Sequence, residues 1–240
     1  MIPLEFTTTA TIRPEIVRRT YASFKAHLKG VDWAKSTAYV NVDPLPEGKC
    51  ALDVVEAIRE SVGNVTHRHP SKANYSLAYK LVWSQPTGDF FFNLEDDWEL
   101  CEDVDVETLL APFADDKIVA VPLRAYSYWY KSTPTSPSMY RTSYFKDIAE
   151  RMHGNENPET QLHDLMNVEY ENYKVSFPES GKERHPGNRT SVYPSNERHI
   201  IVKDIGREWS EQSGYTRPQV LDKSDPRYVK KNHFTSWVKK

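Results

Sequence analysis

The 240-residue chain balances 31 Lys and Arg against 34 Asp and Glu, for a net charge of −3 and a pI near 6.3. No global field would hold a polyanion, so any nucleic-acid contact needs a local patch. Two cysteines, Cys50 and Cys101, exclude a disulfide framework, and no window is apolar enough to span a bilayer. Residues 1–6 lack a basic segment followed by an apolar stretch, so a soluble cytoplasmic protein is expected. This length suits one well-buried α/β domain.

Residues 4–9 read as a first strand. Pro14 stands where a first helical turn begins, and Ile16, Thr20, Phe24 and Leu28 recur at i+4, with Val17 and Tyr21 beside them. Residues 38–42 form a second strand ending at Asp43 and a Pro44-Leu45-Pro46 turn. Ala51, Val55, Ile58 and Val62 mark a second helix, residues 65–67 a third strand, and Tyr75, Ala78, Leu81 and Val82 a helix that stops before Pro86. Residues 90–94 are a fourth strand. Strands and helices alternating at this length predict βαβ units and a mainly parallel, twisted sheet flanked by helices.

Asp103 is a candidate N-cap for a short helix through Leu110, and residues 118–121 are a further strand. Residues 126–140, rich in Tyr, Ser, Thr and Pro, read as an irregular excursion. Phe145, Ile148, Ala149 and Met152 give one helix and residues 158–170 another. Residues 181–196 lack an apolar period and read as a loop, and residues 200–205 are a last strand candidate. The tail from Arg217 is basic and polar.

The stretch Phe90-Phe91-Phe92-Asn93-Leu94-Glu95-Asp96-Asp97-Trp98 is the most informative. A run apolar on both faces suits a buried parallel strand. It ends in three consecutive carboxylates, at the strand end where open α/β sheets bind ligands. Carboxylates packed there repel one another unless a cation offsets them, and hard divalent cations with their diphosphates are the natural candidates. The plainer reading is a strand running into a solvated acidic turn.

Other segments offer partners. Thr7-Thr8-Thr9-Ala10-Thr11-Ile12-Arg13 places small hydroxyls and backbone groups at the end of strand one, where a base or phosphate can be surrounded. Asp43 can accept from a ribose or base N–H, or simply form an Asx turn. Residues 67–74 gather His67, Arg68, His69 and Lys72, which suits a diphosphate or a solvated loop capped by Ser71 or Asn74. Asn157 and Pro158 look like an N-cap and first helical residue, which puts Glu159 in a first turn where a carboxylate is favoured and can act as a base. No Gly-x-Gly-x-x-Gly, phosphate-binding Gly-Lys-Ser/Thr, Gly-x-Ser-x-Gly or paired Cys-x-x-Cys motif is present.

In this order the elements resemble the GT-A glycosyltransferases, most closely the family-2 type, over roughly residues 4–170. The first strand and helix look like that family's, and Glu95-Asp96-Asp97 looks like its Asp-x-Asp metal motif. The resemblance implies one GT-A-like domain and a nucleotide-sugar donor. Its donor-binding half would be residues 1–100, its acceptor and catalytic half residues 101–215, and its basic tail residues 216–240. Thr9, Thr11 and Arg13 would surround the donor nucleotide, Asp43 would contact the base, and Lys72 would lie near base or diphosphate. Glu95 would face ribose or metal, Asp96 would complete the motif, and Asp97 would ligate Mn²⁺ or Mg²⁺.

Glu159, or failing that Glu156, falls where an inverting member keeps its base. Glu in place of the first Asp lengthens the reach, and the missing Glu-Asp pair leaves a retaining course open. Trp98, Tyr128 and Trp129 are candidates for stacking on a sugar or base, or for the core. The acceptor is a glycan, a protein, a small molecule or a modified DNA base, the last suggested only by Arg and Lys in residues 182–198 and 217–240. A nucleotidyltransferase, disfavoured by the lack of a glycine-rich basic loop, and a non-catalytic sugar-nucleotide or glycan-binding module are the alternatives. Asp204-Ile205-Gly206-Arg207-Glu208-Trp209 carries no assigned role.

Overall fold

The apolar run at residues 90–94 supplies an inner strand of an eight-stranded sheet. The computed structural model describes residues 1–45, 50–123, 135–169, 172–177, 182–184, 201–216 and 238–239. In chain order these hold β1 (Glu5–Thr11), α1 (Pro14–His27), β2 (Leu28–Lys29), β3 (Thr37–Asp43), α2 (Ala51–Arg59), β4 (Asn64–Arg68), α3 (Tyr75–Trp83) and β5 (Phe90–Asn93). Then follow β6 (Trp98–Leu100), β7 (Val104–Asp105), α4 (Val106–Leu110), a 3₁₀ turn (Ala111–Ala114), β8 (Ile118–Pro122), β9 (Ser138–Arg141), α5 (Thr142–Arg151) and α6 (Pro158–Val168). Last come β10 (Lys174–Phe177), β11 (Lys182–Arg184), β12 (Val202–Asp204), α7 (Gly206–Ser213), β13 (Tyr215–Thr216) and β14 (Val238–Lys239).

The sheet order is β11-β10-β8-β9-β5-β1-β3-β4. Neighbours from β5 through β1 and β3 to β4 run parallel, as expected from the βαβ pattern. On its other side β5 pairs antiparallel with β9, so its neighbours are mixed rather than all parallel. The excursion expected over residues 126–140 thus ends in a strand, and its residues 126–134 lie outside those described. Within the expected loop 181–196, Lys182–Arg184 forms the edge strand β11, antiparallel to β10. The rest of that loop lies outside the described residues, as does most of the basic tail.

Strand alternation splits the core in two. Phe92 joins Phe6, Val40, Phe24, Tyr21 and Ile58 on the face covered by α1 and α2. Phe91 joins Trp83, Tyr79, Tyr140, Phe145 and Leu162 on the face covered by α3, α5 and α6. Tyr79 and Trp83, which the spacing of α3 leaves off its expected apolar stripe, are its most buried large residues. Trp83 meets Phe145 edge-on at 5.2 Å and donates through Nε1 to Asn93 Oδ1 at 2.9 Å. The four buried threonines of β1 suit a strand by their branched side chains, and hydroxyl bonds at Thr7 and Thr8 offset their burial. Thr7 donates to Asn93 Oδ1 and Thr8 pairs with the Tyr21 hydroxyl.

Caps follow the chemistry of the loops. Asn74 and Asn157 each accept from the backbone at the start of α3 and α6, with Pro158 in the first turn, as expected. The cap of α4 is Asp105, not Asp103, because it is the Asp105 carboxylate that accepts from Glu107 N at 2.9 Å. Asp103 instead pairs with His27 at 2.8 Å and Lys29 at 3.3 Å. Cys50 and Cys101 are free and exposed. Among the described residues no helix is long and apolar enough to cross a membrane.

Replacing Trp83 with Ala removes a fully buried ring and strands Asn93 Oδ1 with one donor fewer. We expect a loss of about 3–5 kcal/mol, read as a lower urea midpoint at unchanged slope.

Candidate functional site

The parallel strands β1, β3 and β5 end at the same sheet edge, and there the chain forms an open cavity of about 310 Å³. Thr9, Ala10, Thr11 and Arg13 line it from the end of β1, Asp43 from β3, and Glu95, Asp96 and Asp97 from the turn after β5. Tyr75 enters from the first turn of α3, and Asp204, Gly206, Arg207 and Ser210 from the C-terminal segment.

Asp96 turns inward. Its carboxylate accepts from Arg13 Nη2 at 2.5 Å, from Arg13 Nε at 3.2 Å and from the Thr11 amide at 2.9 Å. The Asp96 carbonyl also accepts from the Thr20 hydroxyl at 2.9 Å, which ties the turn to α1. Arg13 is 1% exposed. Burial alone would lower its pKa, but Asp96 and Asp97 outweigh that and hold the guanidinium charged. Burial raises the Asp96 pKa against the pull of Arg13.

Glu95 turns toward α3. Its Oε1 accepts from the hydroxyls of Tyr75 at 2.5 Å and Tyr79 at 2.6 Å, and its Oε2 accepts from Trp98 Nε1 at 3.0 Å. Burial, with the repulsion of Asp97 added, still pushes its pKa up to about 8. Trp98 is a buried core residue bonded to Glu95, which settles its two readings in favour of the core. Tyr128 and Trp129 lie outside the described residues.

Asp97 faces the cavity, its side chain 26% accessible and bonded to Arg13 Nη2 at 3.1 Å. What shapes its surroundings lies a hundred residues away in sequence. Strand β12 pairs antiparallel with β6, just beyond the acidic turn. The Ile205 amide then donates to the Asp97 carbonyl at 2.9 Å. A methyl group on Gly206 would lie 2.1 Å from Asp97 Oδ2, so only glycine lets the carboxylate lie there. The Arg13 guanidinium sits 5.0 Å from the Trp209 ring centre, a cation–π distance. Trp209 in turn donates to Glu15 at 3.2 Å and stacks on Tyr215 at 5.6 Å. The segment that carried no assigned role in the sequence is therefore one wall of the cavity.

The remaining sequence candidates fall as follows. Asp43 Oδ1 accepts from Asn41 Nδ2 at 2.8 Å at the cavity's edge. Lys72 is exposed in the loop after β4 and does not line the cavity. Glu159 heads α6, accepts from the Thr135 hydroxyl at 3.2 Å, and lies near enough to Tyr75 to help raise that phenol's pKa after burial and Glu95. The Glu156 carbonyl is bonded by the Ser76 hydroxyl and by Gln161 Nε2. Neither glutamate lines the cavity.

Among the described residues no three acidic, histidine or cysteine side chains converge as a preformed cage. The donor set nevertheless fits a hard cation in another mode, in which one or two carboxylates act with substrate phosphates. Asp97 presents hard oxygen to the cavity, and Asp204 adds negative charge to its lining.

Two outcomes follow from this geometry. The raised Glu95 pKa means that its contribution to stability is full below pH 4.5 and is lost as pH climbs toward 8. In chelator, the melting temperature of Glu95→Gln minus that of the wild type should therefore rise from pH 5 to pH 8. Gly206→Ala should lower stability by about 1–3 kcal/mol through overpacking against Asp97, measured by urea unfolding.

No family model and no curated protein matches this sequence. Among solved structures, the chain is similar to the mannosyltransferase PcManGT from Pyrobaculum calidifontis in complex with GDP-Man and Mn²⁺ (TM-score 0.53, 11% identity, 80% of this chain and 59% of that one). It is also similar to S. aureus TarS 1-349 in complex with UDP (TM-score 0.51, 13% identity, 76% of this chain and 59% of that one). The chain thus spans 59% of the length of either structure. At these identities the likeness is one of fold, and the fold is that of the GT-A glycosyltransferases.

Proposed function

We propose that this chain is a glycosyltransferase that takes a sugar from a nucleotide-sugar donor held in the cavity at the sheet's carboxyl edge. The observation that carries the reading is the meeting of Thr9, Thr11, Asp43 and the acidic turn Glu95-Asp96-Asp97 around one cavity. They meet at the edge where open α/β sheets hold ligands. The two neighbours that share the fold were solved with GDP-Man and Mn²⁺ and with UDP, which supports the same class of donor here.

The roles follow from the chemistry of each group. Asp43 accepts hydrogen bonds from the base or ribose, and the backbone of residues 9–11 walls the nucleotide. Asp97, with Glu95 behind it, would hold Mn²⁺ or Mg²⁺ together with diphosphate oxygens. A bound divalent cation would offset the charge that builds on the leaving diphosphate. In the transfer the bond from the anomeric carbon to the diphosphate oxygen breaks, and one from that carbon to the acceptor hydroxyl oxygen forms. The nucleoside diphosphate departs with the electron pair. If the configuration inverts, Glu159 takes the acceptor's proton, and Glu156 is its understudy. Arg13 and Asp96 keep the turn in shape, so that Asp97 stays aimed at the cavity.

The test is a thermal-shift screen of UDP-, GDP- and other nucleotide sugars with and without Mn²⁺. At about a hundredfold excess over Kd, one donor should raise the midpoint by roughly 5–10 °C. Asp97→Asn should abolish the Mn²⁺-dependent part of that rise and the release of nucleoside diphosphate from the donor. If no nucleotide sugar moves the midpoint, the reading is wrong. Binding without release, in the presence of candidate acceptors, would instead make the chain a binding module.

A further inference from the structure

The cavity carries a charge problem that the acidic turn alone does not solve. Asp43, Glu95, Asp96, Asp97 and Asp204 line it, against the guanidiniums of Arg13 and Arg207. A diphosphate adds more negative charge, and more again as the leaving group departs. Arg13 is buried in the cavity wall, with its guanidinium on Asp96 and Asp97 and Trp209 over its face. Its charge is already spent on those carboxylates.

Arg207 stands differently. It lies in the first turn of α7, its side chain is 85% accessible, and its Nε is 3.2 Å from Asp204 Oδ2. An exposed i,i+3 pair of this kind holds weakly and exchanges readily with a better anion. Gly206, the first residue of the same helix, also lines the cavity, and its amide donates to Asp204 Oδ1 at 3.0 Å, so Asp204 is held by the helix end as well as by Arg207 and keeps a partner when the arginine leaves it. A guanidinium offers phosphate two parallel donors, and a desolvated diphosphate binds it better than an exposed carboxylate does.

We propose that Arg207 is the substrate-binding cation of this cavity. It leaves Asp204 to grip the donor's diphosphate, and it holds the nucleoside diphosphate as that group leaves. This rests on the donor reading above and adds to it a contact from the opposite wall, outside the acidic turn. Asp204 then has a second part to play, holding the arginine beside the cavity when no donor is bound.

The experiment measures Kd for UDP, GDP, ADP, CDP and dTDP with Mn²⁺, by calorimetry, for the wild type, Arg207→Ala, Arg207→Lys and Lys203→Ala. Lys203 is exposed on β12 and does not line the cavity, so its loss changes net charge equally without touching the site. Arg207→Ala should weaken the preferred diphosphate about 10- to 100-fold. Arg207→Lys should recover part of that, Lys203→Ala should leave Kd within about twofold of the wild type, and unliganded melting should stay level in all three. Wild-type affinity in Arg207→Ala, or an equal loss in Lys203→Ala, overturns the role of Arg207 and leaves the donor reading standing. If the wild type binds none of these diphosphates, the donor reading itself falls, and this inference with it.

Discussion

The buried pair of Arg13 and Asp96 is the constraint on which the rest of the site depends. One carboxylate receives the Arg13 fork and the Thr11 amide, while the carbonyl of the same residue receives Thr20. The end of β1, the start of α1 and the turn after β5 are thereby fastened at one point. Removing water from both charges is costly, and the pair stands because the Asp96 carboxylate accepts from Arg13 Nε, Arg13 Nη2 and the Thr11 amide at close range. Breaking one partner would leave an uncompensated buried charge, which typically costs about 3–5 kcal/mol.

That fastening explains how three consecutive carboxylates coexist. They do not share one face. Asp96 goes inward to Arg13, Glu95 goes under the Tyr75 and Tyr79 hydroxyls and the Trp98 indole, and Asp97 goes to the cavity. Glu95 has donors of its own, while Asp96 and Asp97 share the charge of Arg13, and that offsets the mutual repulsion of the three. Asp96 is the buried one of the three, and Glu95 and Asp97 each keep part of their surface open where they line the cavity.

Much of this was readable in the chain. The i+4 apolar spacing of α1, the short apolar strands and the Asn157-Pro158 cap are local signals, and local signals set the parallel half of the sheet. The acidic turn was visible because an apolar run stops there. What was hidden was whatever depends on distance. Nothing near Asp204 or Trp209 in sequence indicates that they close over residues 13 and 97, a contact made by β12 pairing with β6 across the fold. Ser138–Arg141 is too short and too weakly patterned to announce a strand. Asp103 and Asp105 are equally good caps on paper, and only the placement of the Glu107 amide separates them. Lys72 follows the edge strand β4, so its loop lies off the centre of the cavity, which the sequence order alone does not reveal.

The pairing of β12 with β6 also sets an order of events for the molecule as it is made. Residues 1–100 can build the parallel strands and join Arg13 to Asp96 while the rest of the chain is still being synthesised. The cover over that pair, and the glycine against which Asp97 lies, arrive only with residues 202–215. Closing so long a loop is entropically slow compared with forming the βαβ units. A nascent chain that stops short of Trp209 therefore holds its acidic turn open to water, and the cavity comes into being as one of the last acts of folding.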